Sequence, residues 1–339
     1  MIDLRSDTVT RPTPGMREYM LKAEVGDDVF SEDPSINAFQ QRMAELFGME
    51  AGLFVPSGTM GNQLGLMVLT EPGDEVILDE QAHIFNYEAA AAGILSSIQL
   101  RTLPGKYGLI TPEQVTPAIR NGQDWEPVSK VVAVEHTANK GGGTCYAMDT
   151  LKELKSICDQ HNLYFHIDGA RIWNATVATG QKTEELGRLA DTLSICFSKG
   201  LGAPVGSMLL GSETLINKAR KMRKVLGGGM RQAGILAAAA EYAVDHHWQL
   251  MEDDHRRAKA LCETIETCPA LEIDSQRVES NIVLFDVKDR PVDQALAQLH
   301  EHGVRMVPFG PETIRATFHF EVDDQDLDRV IEVFNKVFI

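Results

Sequence analysis

The stretch KVVAVEHTANKGGGTCYAMDTLKELKSICDQHNLYFHIDGAR, residues 130–171, decides the architecture. It opens on a β-branched run, KVVAVEHT (130–137), that reads as a strand. DTLKELKSICDQHN (149–162) then sets Leu151, Leu154, Ile157 and Cys158 on one face of a helix that Asp149 would cap. LYFHIDGAR (163–171) is a second apolar run and a second strand. Strand, helix and strand in about 40 residues fit a parallel pair joined by a crossover.

The alternation extends outward on both sides. Upstream, INAFQQRMAELFG (36–48) carries Ile36, Phe39, Met43, Leu46 and Phe47 on one helical face and stops at Gly48. GLFVPSGT (52–59) is a strand breaking into a turn, NQLGLMVLT (62–70) a helix, and DEVILDE (74–80) a strand. TPEQVTPAI (111–119) begins with Thr111, Pro112 and Gln114, a capping-box start with proline at the first helical position. Such alternation implies an α/β fold with a mostly parallel central sheet.

Downstream, residues 231–265 form a long helical stretch, broken near His246 and His247, that would join two domains. NIVLFDV (281–287), PVDQALAQLHEHG (291–303), VRMVP (304–308), TIRATFHF (313–320) and DDQDLDRVIEVFNKVF (323–338) then read β-α-β-β-α. The expected division is a large domain over 1–245 and a small C-terminal α/β domain over 246–339.

Composition narrows the function. The chain has 49 acidic and 32 basic residues, a net charge of −17, which argues against nucleic acid or an anionic membrane as the main partner. No stretch approaches the roughly 20 apolar residues of a membrane span. MIDLRSDTVT at the start has two acids and no apolar core, unlike a secretory signal. The five cysteines are odd in number and scattered, without a CxxC pair, so reduced thiols in a cytoplasmic protein are expected. No Cys/His cluster has ligand spacing, and no metal site is expected.

In open parallel sheets, ligands bind beyond the carboxyl ends of the strands. Ser57-Gly58-Thr59 follows one strand and opens a helix. It is either a plain capping turn or a phosphate cradle of backbone N–H groups. Asp168 ends another strand, where partial burial would make it seek a cation: Arg171, or a ligand. His83 and His136 each lie just past a strand, as core or as catalytic groups. LSICFSKGLGAPVGSMLLG (193–211) sets Lys199 between two apolar runs, with Gly200, Gly202, Pro204 and Gly206 close behind. It is a surface lysine or, in a dry pocket, a nucleophilic amine. A phosphate turn, an acid and an amine at strand ends together match pyridoxal phosphate. That cofactor needs a phosphate seat, a carboxylate beside its ring nitrogen and a lysine for its aldehyde.

These segments resemble the low-specificity L-threonine aldolases, pyridoxal-phosphate enzymes of the aspartate-aminotransferase-like fold (fold type I). The carrying segments are LRSDTVT (4–10), DDVFSEDP (27–34), PSGTMGN (56–62), DEQAHIFNYE (79–88), EHTANKGGG (135–143), HIDGARIWNA (166–175), FSKGLGAPVGS (197–207), GGGMRQ (227–232) and IRATFHF (314–320). The resemblance implies cleavage of L-threonine or L-allo-threonine to glycine and acetaldehyde, with breadth toward other β-hydroxy-α-amino acids. The alternative is another lyase on the same scaffold, β-eliminating or phenylserine-cleaving. Lys199 would bond to the cofactor's aldehyde, Asp168 would pair with its ring nitrogen and His83 would stack on the ring. Gly58 and Thr59 would hold the phosphate, with Arg231 from a neighbouring subunit. Ser6, Arg171 and Arg315 would grip the substrate carboxylate, the arginine fork suiting that task, and Arg171 would also line the cofactor pocket. His83, then His136, are the candidate bases for the β-hydroxyl. The family's fold implies a homo-oligomer, a dimer or a tetramer. Two departures stand out: Ala138 replaces a second active-site histidine, and Phe30-Ser31 replace the common tyrosine and glycine.

Overall fold

The computed structural model describes all 339 residues. Strands are numbered along the chain: β1 (Ile2–Asp3), β2 (Ala51–Val55), β3 (Asp74–Asp79), β4 (Gln99–Leu103), β5 (Val128–Glu135), β6 (Tyr164–Gly169), β7 (Thr192–Cys196), β8 (Ser207–Gly211), β9 (Leu271–Glu272), β10 (Ile282–Val287), β11 (Val304–Arg305), β12 (Val307–Pro308) and β13 (Thr313–Thr317). Seven of them build the large sheet, in the order β2-β8-β7-β6-β5-β3-β4. β8 runs antiparallel to both its neighbours, and the other pairings are parallel.

The crossover predicted over 130–171 is present, with β5 and β6 joined by the Met148–Gln160 helix. Along β5, Val132 and Val134 enter one apolar cluster and Val131 and Ala133 another. Both faces are therefore covered by helices, which is why the run is continuously apolar and not alternating. The helix differs from expectation at its start: Ala147 is the N-cap and Asp149 sits in the first turn. There its charge still favours the helix N-terminus.

The helix expected over 62–70 starts earlier, spanning Gly58–Leu69 with Ser57 as its cap. It crosses close over β6. A side chain at Gly65 would put its Cβ 2.7 Å from Cε1 of His166, so glycine permits that approach. The stretch 231–265 is two helices, Gly234–His246 and Met251–Glu266, broken where predicted.

The C-terminal part folds as an antiparallel sheet ordered β12-β13-β10-β9, covered by the Val292–Glu301 and Asp324–Phe338 helices. Its apolar core takes in Ala258, Leu261, Cys262 and Ile265 of the Met251–Glu266 helix, and also Ile2 and Leu4 from the far end of the chain. Met251 of the same helix belongs to the large domain's core. β1 pairs in parallel with β11, and Thr317 donates from its backbone N–H to Leu4 O at 2.9 Å. The N-terminal segment is thus tied to the small domain before it crosses to the large one. All five cysteines are free and buried, and no helix is long and apolar enough to cross a membrane.

Candidate active site

The parallel register aligns the carboxyl ends of the strands. Glu135 on β5 is the direct partner of Asp168 on β6, and Asp168 of Ser194 on β7. His83 follows β3 at the start of the His83–Asn86 turn of helix. Lys199 follows β7. One sheet edge therefore gathers His83, Glu135, Asp168 and Lys199.

Lys199 is half-buried at the head of a loop held on three sides. Its carbonyl accepts from Gly202 N at 2.8 Å and from the Thr10 hydroxyl at 2.9 Å. His247 Nδ1 lies 2.7 Å from Leu201 O. Gly202 takes φ 80°, and a Cβ there would lie 2.5 Å from the Phe320 ring. These contacts fix the loop, and the charge of Lys199 acts on Asp7 and His83.

Asp168 is 2% exposed, accepting from Asn62 Nδ2 at 2.7 Å and from Ala170 N at 3.0 Å. The ion pair with Arg171 that its position allowed is not formed. Arg171 instead forks onto Asp7, with Nε and Nη2 each 2.8 Å from a carboxylate oxygen. Burial works against the Asp7 carboxylate, but Arg171 beside it holds its pKa at about 2. Asp168 is left buried with hydrogen bonds and no arginine to neutralise it.

This is the arrangement that a cationic ring nitrogen would complete. The Gly58 and Thr59 N–H groups open a helix, where no intrahelical acceptor exists for them. Near them the buried Ser207 hydroxyl has no hydrogen-bond partner, and a Cβ at Gly58 would lie 3.7 Å from it. The phosphate, ring and aldehyde of pyridoxal phosphate thus find a donor cradle, an acid and an amine among the residues present.

His83 contacts more than its position predicted. Its Nδ1 lies 2.9 Å from Glu88 Oε1, and its backbone N–H donates to Glu135 Oε2 at 2.9 Å. Burial opposes the imidazolium, yet the Glu88 bond and the charges of Asp168 and Glu135 raise its pKa overall. Glu88 is fully buried and also accepts from Asn62 Nδ2 at 2.9 Å and Gln63 Nε2 at 2.6 Å. His83, Glu88 and Asp168 offer atoms within 4.8 Å of one another. These atoms already bond to each other's neighbours, so the trio belongs to this site.

His136 does not join it. Its Nδ1 accepts from Tyr146 N at 3.2 Å, and its Nε2 faces Gln181 Oε1 at 2.9 Å. Burial pushes its pKa down to about 4. Both nitrogens are engaged by protein groups, which leaves neither free to face a substrate.

The carboxylate grip also differs from expectation. The Arg171 fork is spent on Asp7, leaving Nη1, which lies 3.4 Å from Asn139 Oδ1. Arg315 Nη1 reaches the same oxygen at 3.0 Å, while its Nη2 donates to Arg5 O at 3.1 Å. Burial, and then repulsion from Arg171, lower the Arg315 pKa to about 10. The Arg315 guanidinium lies 4.6 Å from the centre of the Phe309 ring. Ser6 caps the short Asp7–Val9 turn, its hydroxyl accepting from Thr8 N at 3.2 Å. Arg231 lies apart from this group, exposed and paired with Asp27 at 3.0 Å. Ser31 takes φ 59°, the left-handed region, which accounts for the glycine common there in the family it resembles. Asp7, Glu88, Glu135 and Asn139 escaped sequence reasoning. Each stood inside a segment quoted above, but a carboxylate's partner cannot be read from its neighbours in the chain.

The fold is that of the fold type I pyridoxal-phosphate enzymes, and the site offers an amine, an acid and a donor cradle that would fit the cofactor. The beta-eliminating lyase family model matches residues 3–289. The low-specificity L-threonine aldolase 1 of Arabidopsis thaliana is 37% identical, across 100% of this chain and 96% of its own length. The low specificity L-threonine aldolase of Escherichia coli K12 is 38% identical, across 97% of each. The solved structure of Leishmania major threonine aldolase superposes over 100% of both chains with a TM-score of 0.87 at 19% identity, a likeness of fold. The chain belongs to the beta-eliminating lyase family and, within it, to the low-specificity L-threonine aldolases.

Proposed function

We propose that this enzyme cleaves L-threonine and L-allo-threonine to glycine and acetaldehyde with pyridoxal 5'-phosphate, and accepts other β-hydroxy-α-amino acids. The observation that carries this reading is the meeting of Lys199, Asp168 with no arginine partner, and Arg171 at one sheet edge, with Arg315 of the small domain reaching Arg171's neighbour Asn139. Bound pyridoxal phosphate supplies an aldehyde for the amine and a ring that accepts the electrons of the breaking Cα–Cβ bond.

The chain's own groups do the rest. Gly58, Thr59 and Ser207 would hold the phosphate, and Asp168 would hold the ring nitrogen. Lys199 would supply the amine that holds the cofactor's aldehyde. Arg171 and Arg315, with Ser6, hold the α-carboxylate. That hold would fix the substrate's rotation about Cα, where positioning contributes most. His83 moves the proton at the β-hydroxyl oxygen. Its Nδ1 is engaged by Glu88, so Nε2 is the nitrogen that acts, directly or through a water. The assembly is a homo-oligomer of at least two chains, with a tetramer expected, in which a neighbour's Arg231 would reach the phosphate. It works in the cytoplasm.

Aldehyde release from both threonine isomers by the purified enzyme, beside Lys199→Ala, tests the reading. Acetaldehyde matched by glycine, and absent in the variant, is expected; full activity in the variant sinks the scheme. His83→Asn should cut cleavage more than glycine binding, by about 100-fold or more. Equal losses would make His83 a stacking residue only. The family model's own description favours one second reading, β-elimination, which would give ammonia and a keto acid in place of the aldehyde.

A further inference from the structure

We propose that Asn139 is a positioning residue for the substrate's α-carboxylate, its side-chain oxygen clamping two guanidiniums that come from different domains. The proposal rests on the functional reading above. Arg171 stands on the large domain and Arg315 on β13 of the small one. Asn139 Oδ1 is bonded to both of them, whereas Asp7 takes Arg171 alone by two bonds and the Arg5 carbonyl takes Arg315 alone by one.

The donors left over define the seat. Arg171 offers Nη1 and Arg315 offers Nη1, both aimed at Asn139 Oδ1, at 3.4 and 3.0 Å. Arg315 Nε is buried and has no partner. Two like charges share one neutral oxygen through two donors, and a third donor, Arg315 Nε, goes unused. A carboxylate, with two charged oxygens, is the stronger acceptor for the same donors. Asn139 itself is 7% exposed, and its backbone N–H donates to Glu135 Oε1 at 3.0 Å. The clamp is therefore anchored to the strand end that also positions His83.

The amide is matched to this duty. An aspartate at 139 would neutralise one arginine and fill the seat with a permanent anion. An alanine would leave the two guanidiniums unbridged. Either change should act on carboxylate recognition and leave the cofactor's aldehyde accessible to amines.

The test uses the holoenzyme and its Asn139→Ala and Asn139→Asp variants. Dissociation constants for glycine, and for methylamine as the amine without a carboxylate, are read from the cofactor's absorbance. We expect glycine affinity to fall about 10- to 100-fold in Asn139→Ala, the scale of a lost hydrogen bond to a charged group, and further in Asn139→Asp. Methylamine affinity should stay within about twofold of the parent, which also shows that each variant has folded. Unchanged glycine affinity in both variants overturns the proposal. So does an equal loss for glycine and methylamine, which would make Asn139 a general packing residue. If the parent enzyme responds to neither amine, the functional reading itself fails, an outcome distinct from the other two.

Discussion

Glu135 shows how much of this site is decided by single residues. Its two oxygens accept from the backbone N–H groups of His83 and Asn139, at 2.9 and 3.0 Å. It is 6% exposed and directly beside Asp168 in the sheet register. Burial, and then the Asp168 charge, raise its pKa to about 7, from an ordinary carboxyl value of 4.5. Between those two values the folded cofactor-free protein holds a proton that the unfolded chain has released. Stability must then fall as pH rises through that window and level off above it. A shift of this size corresponds to roughly 3 kcal/mol. In cofactor-free protein, Glu135→Gln should gain on its parent by about that amount between pH 4.5 and pH 8 in urea denaturation. Only the pH dependence of the difference matters, because an amide oxygen cannot replace both carboxylate oxygens. A constant difference would mean that Glu135 does not titrate there.

The element of most consequence is the lysine loop between β7 and β8. Its glycine and proline content was legible in the sequence as a tight turn. What the turn packs against was not. Phe320 of the small domain lies against Gly202, with its ring centre 4.7 Å from that of His247, the residue where the two long helices part. Gly202→Ala places a Cβ at φ 80° and 2.5 Å from Phe320. The strained backbone alone costs on the order of 1 kcal/mol, and displacing the ring adds to it. The variant should melt at a lower temperature and bind the cofactor more weakly. An unchanged melting temperature would show that the loop yields without cost. Strands and helices elsewhere were readable for a simpler reason. Val131 to Val134 alternate between two cores, and the Asp324–Phe338 helix buries Leu327, Val330, Val333, Phe334 and Phe338 on one face, so periodicity carries their burial.

Across the whole molecule, the first ten residues act as a strap. Leu4 N donates to Arg305 O at 2.8 Å, Arg315 donates to Arg5 O, Asp7 receives Arg171, and Thr10 donates to Lys199 O. The small domain, Arg171, Arg315 and the lysine loop are joined by one segment. Deleting residues 1–5 removes β1 and the support of Arg315, but spares Ser6 and Asp7. The shortened enzyme should lose several degrees of melting temperature, from the apolar burial of Ile2 and Leu4, each worth about 1.5–3 kcal/mol. Its KM for L-threonine should rise more than its kcat falls, since the carboxylate seat loosens while the cofactor residues stay in place. A fall confined to kcat would place the strap's influence on Lys199 instead.

The sequence by itself determined the α/β class, the crossover at 130–171, the strand ends that carry Asp168 and Lys199, and the family. Each of these is written in local periodicity or in short segments of fixed order. Only the tertiary structure decided that Arg171 serves Asp7 before any substrate, that His136 is spent on Tyr146 and Gln181, and that Asn139 lies between two arginines. Pairing of charges depends on distance through space. Asp7 and Arg171 lie 164 positions apart in the chain and 2.8 Å apart in the fold.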